Sequence, residues 1–206
     1  MNAAVYAGAA IGSFFLGSIP WGVVVSRAFY RRDIRAAGSG NIGAMNALRS
    51  LGKRGAVTVL LLDAAKGIIP PALAIALAHD LRLAAILAAA AVLGHCFSPL
   101  LRFKGGKGVA TSFGAIFALC WPAGIAAVAG WLIGALTTSY SSVGSMLGSI
   151  VAPFALWYFT HSVWFAGYGA FAALLIMYTH RENIERVMRG QEKGIPFLQR
   201  GRASRS

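Results

Sequence analysis

Residues 108–136 read GVATSFGAIFALCWPAGIAAVAGWLIGAL and contain no charged side chain. A run of about 20 apolar residues is enough to cross the hydrocarbon core of a bilayer as a helix. Comparable runs recur along the 206-residue chain, which is 57% hydrophobic and 12% charged, whereas soluble proteins are roughly 25% charged. The chain is therefore expected to be an all-α integral membrane protein rather than a soluble globule.

The hydropathy pattern divides the chain into seven apolar segments. The predicted transmembrane spans cover approximately residues 3–29, 55–78, 83–97, 108–121, 123–137, 146–160 and 163–178. The stretch 108–136 is divided because a span needs only roughly 20 residues and because Trp121-Pro122 is typical of a turn. The stretch 146–178 is divided at Thr160-His161 on the same grounds of length. A five-span alternative stays open, since only the side of the uncharged segment 137–145 differs between the two.

The distribution of basic residues predicts the orientation. Nearly all of the 19 Lys and Arg residues fall within 27–54, 102–107 and 181–205, and positively charged loops are typical of the cytoplasmic side. This places the N-terminus outside and the C-terminus in the cytoplasm. The predicted cytoplasmic segments are the loops 30–54, 98–107 and 138–145 and the tail 179–206, all within one polytopic domain, 1–206.

Two patterns in or next to the spans concern helix packing. The pairs Gly130-xxx-Gly134 and Gly144-xxx-Gly148 are typical of helices whose backbones approach closely in membranes. Asp63 and Lys66 lie three residues apart in the second span, so they are expected to pair with each other. Such an intramembrane pair is compatible with a functional role and with a structural one.

The net charge of +13 indicates which partners to expect. In a membrane protein it favours anionic headgroups or anionic substrates. Nucleic acid is not expected, because the basic residues lie in short loops and a tail rather than on a basic soluble domain. No cluster of carboxylates suited to a divalent cation is present, and Cys96 and Cys120 lie in apolar segments. We therefore predict neither a metal nor a cofactor.

The first polar motif is Gly38-Ser-Gly-Asn-Ile-Gly43. It matches the dinucleotide pattern G-x-G-x-x-G, but that fingerprint requires a preceding strand, and here an apolar helix precedes it. Glycines still allow backbone amides to surround an anion, and Ser39 and Asn41 add hydrogen-bonding side chains. A simple surface turn is the alternative.

The second motif is Phe103-Lys-Gly-Gly-Lys-Gly-Val-Ala-Thr111. It lacks the spacing of a P-loop, yet Gly105, Gly106 and Gly108 surround Lys107 immediately before a predicted helix. Backbone donors, a helix N-terminus and a cation in one place favour phosphate binding. A basic anchor that touches lipid headgroups is the alternative, and it does not explain the three glycines.

The third motif, His180-Arg-Glu-Asn-Ile-Glu-Arg-Val-Met-Arg-Gly190, opens the tail. His180 and Asn183 are three residues apart and share one face of a helix at the membrane boundary. Histidine can move protons near neutral pH, although a single boundary histidine is more often structural.

Taken in order, these motifs, together with Gly17-Ser-Ile-Pro20 and Gly94-His-Cys-Phe-Ser-Pro99, resemble the bacterial acyl-phosphate:glycerol-3-phosphate acyltransferase family, PlsY. The resemblance covers nearly the whole chain. It implies a multi-pass protein of the bacterial inner membrane with seven transmembrane helices and an active site on the cytoplasmic face. It also implies transfer of a fatty acyl group from acyl phosphate to the sn-1 hydroxyl of glycerol 3-phosphate, which gives lysophosphatidic acid and phosphate.

The resemblance also assigns functional residues. Carried over by motif, the catalytic candidates are Ser39, Asn41, Ser145, His180 and Asn183, and the phosphate-binding candidates are Arg49 and Lys107, to which the loop chemistry adds Gly105, Gly106 and Gly108. The expected partners are glycerol 3-phosphate, acyl phosphate and membrane lipid. An organic-phosphate or anion transporter is the alternative class, and it would place polar residues through the depth of the membrane.

Overall fold

The computed structural model describes residues 2–196 and 198, and it contains helices and loops but no strand over that part of the chain. The α-helices are α1 Ala3–Ser18, α2 Trp21–Tyr30, α3 Ala44–Leu73, α4 Leu81–Cys96, α5 Val109–Leu119, α6 Trp121–Thr138, α7 Ser141–Thr160, α8 Val163–Thr179 and α9 Arg181–Met188. Short 3₁₀ turns lie at Ile34–Ala36 and Pro99–Leu101. The last predicted tail residues, 199–206, lie outside the described part.

Within residues 2–196 and 198, five helical segments are long and apolar enough to cross a membrane. They are Ala3–Tyr30, Ala44–Ala78, Leu81–Leu101, Trp121–Thr138 and Ser141–Thr160. The pair α8 and α9, bent by 57°, forms a sixth if it is taken as one span, and α5 is a shorter apolar helix. The all-helical membrane fold expected from the sequence is thus present, whereas the number seven and the sides of the termini stay predictions.

The first predicted span, 3–29, is interrupted between α1 and α2. Pro20 lacks an N–H donor, so the helix cannot continue its hydrogen-bond ladder through this point. The carbonyl oxygen of Ile19 instead accepts a hydrogen bond of 2.8 Å from Nζ of Lys66. The break therefore supplies a ligand for a buried cation in the neighbouring helix α3.

Two predicted loops are shorter than the sequence suggested. Helix α3 begins at Ala44, inside the predicted loop 30–54, because Ala47 packs into a small apolar cluster and Gly52, with a φ of 81°, redirects the helix. Helix α7 begins at Ser141, inside the predicted loop 138–145. Polar sequence at these positions marks helix faces at the membrane boundary rather than irregular loops.

The predicted turn at Trp121-Pro122 is also displaced. The break lies at Cys120, which is extended, and Trp121 and Pro122 form the first turn of α6. Proline suits this position because the first amides of a helix have no intrahelical acceptor. At the predicted break Thr160-His161, His161 adopts a left-handed conformation that ends α7.

Helices α6 and α7 pack through the glycine pairs that the sequence indicates. A Cβ atom added at Gly134 would lie 2.8 Å from Cα of Gly144, and one added at Gly130 would lie 3.1 Å from Cα of Gly148. The backbones are therefore in direct contact, as small-residue pairs permit.

The predicted ion pair inside α3 is present, and a histidine of α4 lies beside it. Nζ of Lys66 lies 2.9 Å from Oδ1 of Asp63, and Nδ1 of His95 on α4 lies 3.5 Å from the same oxygen. All three side chains are buried. We call Asp63, Lys66 and His95 the buried triad, and it connects α3, α4 and the break after α1.

Candidate active site

The loop between α4 and α5 owes its shape to glycines that pack against the buried triad. The amide of Gly105 donates to the carbonyl of Cys96, and that of Gly106 donates to the carbonyl of His95, both at 3.0 Å. A Cβ atom at Gly106 would lie 2.1 Å from Nε2 of His95. These two amides are therefore engaged within the protein, which corrects the expectation that they face a phosphate.

The remaining half of the loop keeps the features of an anion site. Gly108, with a φ of 83°, precedes α5 and no side chain caps the helix there. In the part of the chain that the structure describes, the amides of Lys107 and Gly108 donate to no backbone carbonyl. The start of a helix with unpaired amides beside an ammonium group is suited to a phosphate.

Lys107 is held on both sides. Its ammonium group donates to Oδ1 of Asn183, and its carbonyl oxygen accepts a hydrogen bond of 3.0 Å from Oγ1 of Thr179. Burial, with a further contribution from the positive charge of Arg186, lowers the pKa of Lys107 to about 8. The ammonium therefore loses its proton within the range of ordinary alkaline buffers.

His180 joins α8 to α9 and lies beside Lys107. Its Nδ1 atom is 2.8 Å from the carbonyl oxygen of Ile176. A carbonyl only accepts, so Nδ1 carries the proton and Nε2 presents a lone pair. Burial, followed by the charge of Lys107, lowers the pKa of His180 to about 4. The imidazole is thus neutral at physiological pH and can accept a hydrogen bond.

A carboxylate from the tail, that of Glu192, completes the group formed by Lys107, His180 and Asn183. Glu192 accepts hydrogen bonds from Oγ of Ser142 at 2.8 Å, from Nδ2 of Asn183 at 2.5 Å and from Nε of Arg186 at 2.8 Å. Burial alone would raise the pKa of Glu192, but these hydrogen bonds outweigh it and the pKa is lowered. The sequence placed Glu192 near the cytoplasmic surface without a role. It lies beyond the end of α9, where no helical spacing relates it to Asn183.

Arg49 reaches the same region from α3 but contacts the tail. Its Nη2 atom donates to the carbonyls of Lys193 at 2.9 Å and Gly194 at 3.2 Å. Arg49, a predicted phosphate ligand, therefore lies at the edge of the residues around Lys107. It holds the segment of the tail that crosses them.

The Gly38 to Gly43 loop is organised by Asn46, which is not among the predicted site residues. Its Nδ2 group shares its two hydrogens among the nearby carbonyls of Ile34, Ala37 and Asn41, and its Oδ1 accepts the amide of Ser39 at 2.8 Å. The side chain of Asn41 accepts the amide of Gly43 at 2.8 Å, which forms a tight turn. The two candidates in this loop therefore owe their placement to a buried amide at the start of α3.

Ser145 lies on α7 one turn after Ser142, so the two share a face. The hydroxyl of Ser145 donates to the carbonyl of Ser141 at 2.8 Å. The structure thus joins Lys107 and Asn183 directly. His180 follows Thr179, whose hydroxyl donates to the carbonyl of Lys107, and Ser39 approaches through the bond from Nζ of Lys193 to the carbonyl of Gly38 at 3.0 Å.

Together these residues form a cationic site at one end of an apolar helical bundle. Over the described residues no group of three His, Cys, Asp or Glu side chains is arranged to hold a metal ion. Positive side chains, a helix N-terminus and a neutral histidine are suited to binding oxyanions and to positioning a hydroxyl. An apolar helical bundle with such a site is suited to a membrane protein whose substrates carry phosphate groups.

Comparison with known proteins assigns the chain to one family. A family model described as glycerol-3-phosphate acyltransferase matches residues 7–190. Curated relatives of the same name are 42% identical over 192 residues in Rhodopseudomonas palustris strain BisB5 (93% of this chain, 96% of the relative) and 44% identical over 189 residues in Caulobacter vibrioides (91% and 86%). The chain belongs to the glycerol-3-phosphate acyltransferase family, which confirms the resemblance and the enzyme class inferred from the motifs.

Solved structures agree with this assignment. The fold is similar to a crystal structure of PlsY, an integral membrane glycerol 3-phosphate acyltransferase, in its glycerol 3-phosphate form, with a TM-score of 0.87 and 36% identity over 92% of this chain and 95% of the other. The lysophosphatidic acid form of PlsY gives a TM-score of 0.85 and 34% identity over the same shares.

Proposed function

We propose that this chain transfers a fatty acyl group from acyl phosphate to the sn-1 hydroxyl of glycerol 3-phosphate at the site around Lys107. The observation that carries the proposal is that Lys107 immediately precedes Gly108 at the start of α5, while its ammonium contacts Asn183 on α9. A phosphate held there would contact a cation and unpaired amides together, and both substrates carry phosphate.

The reaction needs positioning more than a strong base. The glycerol hydroxyl oxygen attacks the acyl carbonyl carbon, the bond from that carbon to the phosphate oxygen breaks, and the hydroxyl proton passes to the departing phosphate. His180, with its pKa of about 4, is a weak base and is suited to orienting the hydroxyl through Nε2. Acyl phosphate is a mixed anhydride with a good leaving group, so orientation and charge stabilisation supply much of the acceleration.

Each predicted site residue has a role in this proposal. Lys107 and the start of α5 bind phosphate, Asn183 orients the glycerol end, and Ser39, Asn41 and Ser145 supply hydrogen bonds near the reacting carbonyl. Arg49 contributes positive charge at the rim while it holds the tail. The phosphate role of Gly105 and Gly106 is reduced to shaping the loop.

The same proposal places the protein in the bacterial inner membrane with seven spans and the site in the cytoplasm. Contacts of Ser142 and Ser139 with the tail bring α7 to the end of the bundle that carries Lys107. The basic loops at that end favour the cytoplasmic side. Glycerol 3-phosphate would then enter from water and acyl phosphate from the lipid.

Reconstituted protein tests the function. Liposomes that contain acyl phosphate are supplied with radiolabelled glycerol 3-phosphate, and extraction of labelled lysophosphatidic acid with release of one phosphate per product supports the enzyme. Movement of phosphate across the bilayer without labelled lipid would instead support the transporter alternative. We expect the activity to persist in EDTA, and a loss that Mg²⁺ restores would contradict metal-independent transfer.

A further inference from the structure

The tail crosses the site as an ordered segment. We call residues 190–195 the strap. It follows α9 and begins at Gly190, whose φ of 65° reverses the chain. At its far end Ile195 is buried, and its amide donates to the carbonyl of Ser139 at 2.9 Å. In between, Arg49 holds two strap carbonyls, and Lys193 reaches Gly38. Three separate elements therefore fix the strap over the group around Lys107.

The strap carries one acidic side chain into this cationic group. The side chain of Glu192 is only 6% exposed. Its three donors come from α7 and α9, namely Ser142, Asn183 and Arg186. An ionised carboxylate accepts hydrogen bonds and donates none, so each of these donors is turned toward it.

The consequence for Asn183 concerns the direction of its amide. The nitrogen and oxygen ends of an asparagine side chain are similar in shape, and their hydrogen-bond partners decide which end points where. Because Glu192 takes the NH₂ end, the carbonyl end faces the ammonium of Lys107. Without the carboxylate, the amide of Asn183 is free to rotate. Its NH₂ group would then face the ammonium of Lys107, and two hydrogen-bond donors would point at each other.

We propose that Glu192 is a positioning residue for acyl transfer, which acts by fixing the amide of Asn183 and, through it, the ammonium of Lys107. The inference rests on the proposed function of the site. Glu192 itself does not bind substrate in this proposal, since its charge would repel both phosphates.

A competing interpretation makes the opposite prediction. Glu192 is an anion in a site for anions, so it could occupy the place of a substrate phosphate and inhibit the enzyme until the strap moves. Removal of the carboxylate would then raise activity, whereas removal of a positioning residue lowers it. The sign of one substitution therefore separates the two interpretations.

The test compares Glu192→Gln with Glu185→Gln, which removes the same charge from the exposed face of α9. We expect Glu192→Gln to lower kcat by about ten- to a hundred-fold, the range for loss of a hydrogen bond to a charged group, with a smaller effect on KM. Glu185→Gln should match the wild type. Glu192→Asp should recover part of the rate because it keeps the charge.

A pH profile adds a readout that a purely structural role would not change. The charged groups that face Lys107 are Arg186 and Arg49, which lower its pKa, and Glu192 and Glu182, which raise it, and neutral His180 lies beside it. Loss of the Glu192 charge should therefore move the alkaline decline of kcat/KM to lower pH.

The outcomes are distinct. Wild-type protein that makes no lysophosphatidic acid would refute the proposed function itself. Active wild type with a Glu192→Gln variant that is equally fast or faster would overturn the positioning role alone. Thermal unfolding in detergent identifies a variant that has lost its fold. If Glu192→Gln has lost its fold, Glu192→Asp decides the question. A Glu192→Asp variant that folds like the wild type supports the positioning role if its rate is reduced and contradicts it if its rate is full.

Discussion

At the scale of single residues, the proposed site centres on Lys107, whose surroundings differ from those of the nearby Lys104. Lys104 lies three residues before Lys107 in the same loop, but it is exposed. Lys107 is held between Asn183 and Thr179 at the start of α5. If the loop acts only by general attraction of lipids or substrates, loss of either lysine should have the same effect on activity. If Lys107 belongs to a defined phosphate site, its loss should have the larger effect.

We expect Lys107→Ala to lower kcat/KM by roughly ten- to a hundred-fold, because a hydrogen bond from a charged donor contributes about 1.5–3 kcal/mol. Lys104→Ala should change it little, and that small change should fade as salt screens exposed charge. Steady-state kinetics at two ionic strengths measure both. Equal losses for the two variants would refute the assignment of Lys107 as a specific phosphate ligand.

The titration of Lys107 predicts a decline of activity in alkaline solution. Its pKa is lowered to about 8, and the protonated ammonium is the form that binds phosphate. Activity should be complete well below pH 8 and should fall as the pH rises through that value. Lys107→Arg should remove this decline, because a guanidinium stays protonated, even if its overall rate is lower. A wild-type kcat/KM that stays flat to pH 10, after correction for uncatalysed hydrolysis, would contradict the prediction.

At the scale of elements, the loop before α5 is supported from below by the buried triad. Nε2 of His95 faces Gly106, Nδ1 of His95 lies 3.5 Å from Oδ1 of Asp63, and Asp63 pairs with Lys66. The intramembrane charges thus contact the active-site loop through one imidazole ring. The triad therefore supports the loop structurally, and we expect disturbance of this contact to lower the activity.

Gly106→Ala tests that support. The added Cβ would meet Nε2 of His95 at 2.1 Å, and the ring cannot retreat because Asp63 lies behind it. Overpacking of this kind costs about 1–3 kcal/mol, so we expect a lower unfolding temperature and a loss of activity of at least about ten-fold. Gly167→Ala on α8 is the control, since no atom lies within 4 Å of its added Cβ. Equal behaviour of the two variants would show that the loop does not depend on this contact.

The element scale also shows what the sequence could and could not predict. Apolar length and the glycine pairs correctly indicated the helical bundle and the α6–α7 contact, and the three-residue spacing correctly indicated the Asp63–Lys66 pair. The motif Gly-Gly-Lys-Gly did not reveal which amides are engaged, because glycines serve close packing and anion binding equally well. Glu192 and Asn46 were missed as parts of the site, since both act through long-range contacts that no local pattern encodes.

At the scale of the whole molecule, the arrangement of the site constrains the topology. Ser142 at the start of α7 and Asn183 on α9 share the carboxylate of Glu192. Asn183 in turn contacts Lys107 in the loop before α5. These residues must therefore lie on the same side of the membrane. Five spans would place residues 137–145 opposite the basic loops, whereas seven spans place all of them together.

Cysteine labelling distinguishes the two topologies. Single cysteines are introduced by Ser141→Cys, Lys104→Cys and His161→Cys in a chain that lacks Cys96 and Cys120. With seven spans, a membrane-impermeant maleimide should label position 161 in intact cells, and positions 104 and 141 only after permeabilisation. Ser141 is preferred to Ser142 because Ser142 is buried against Glu192. Labelling of position 141 in intact cells, with position 104 protected, would establish five spans. It would also be incompatible with a site that joins α7 to Lys107, so this one experiment tests the topology and the architecture of the site together.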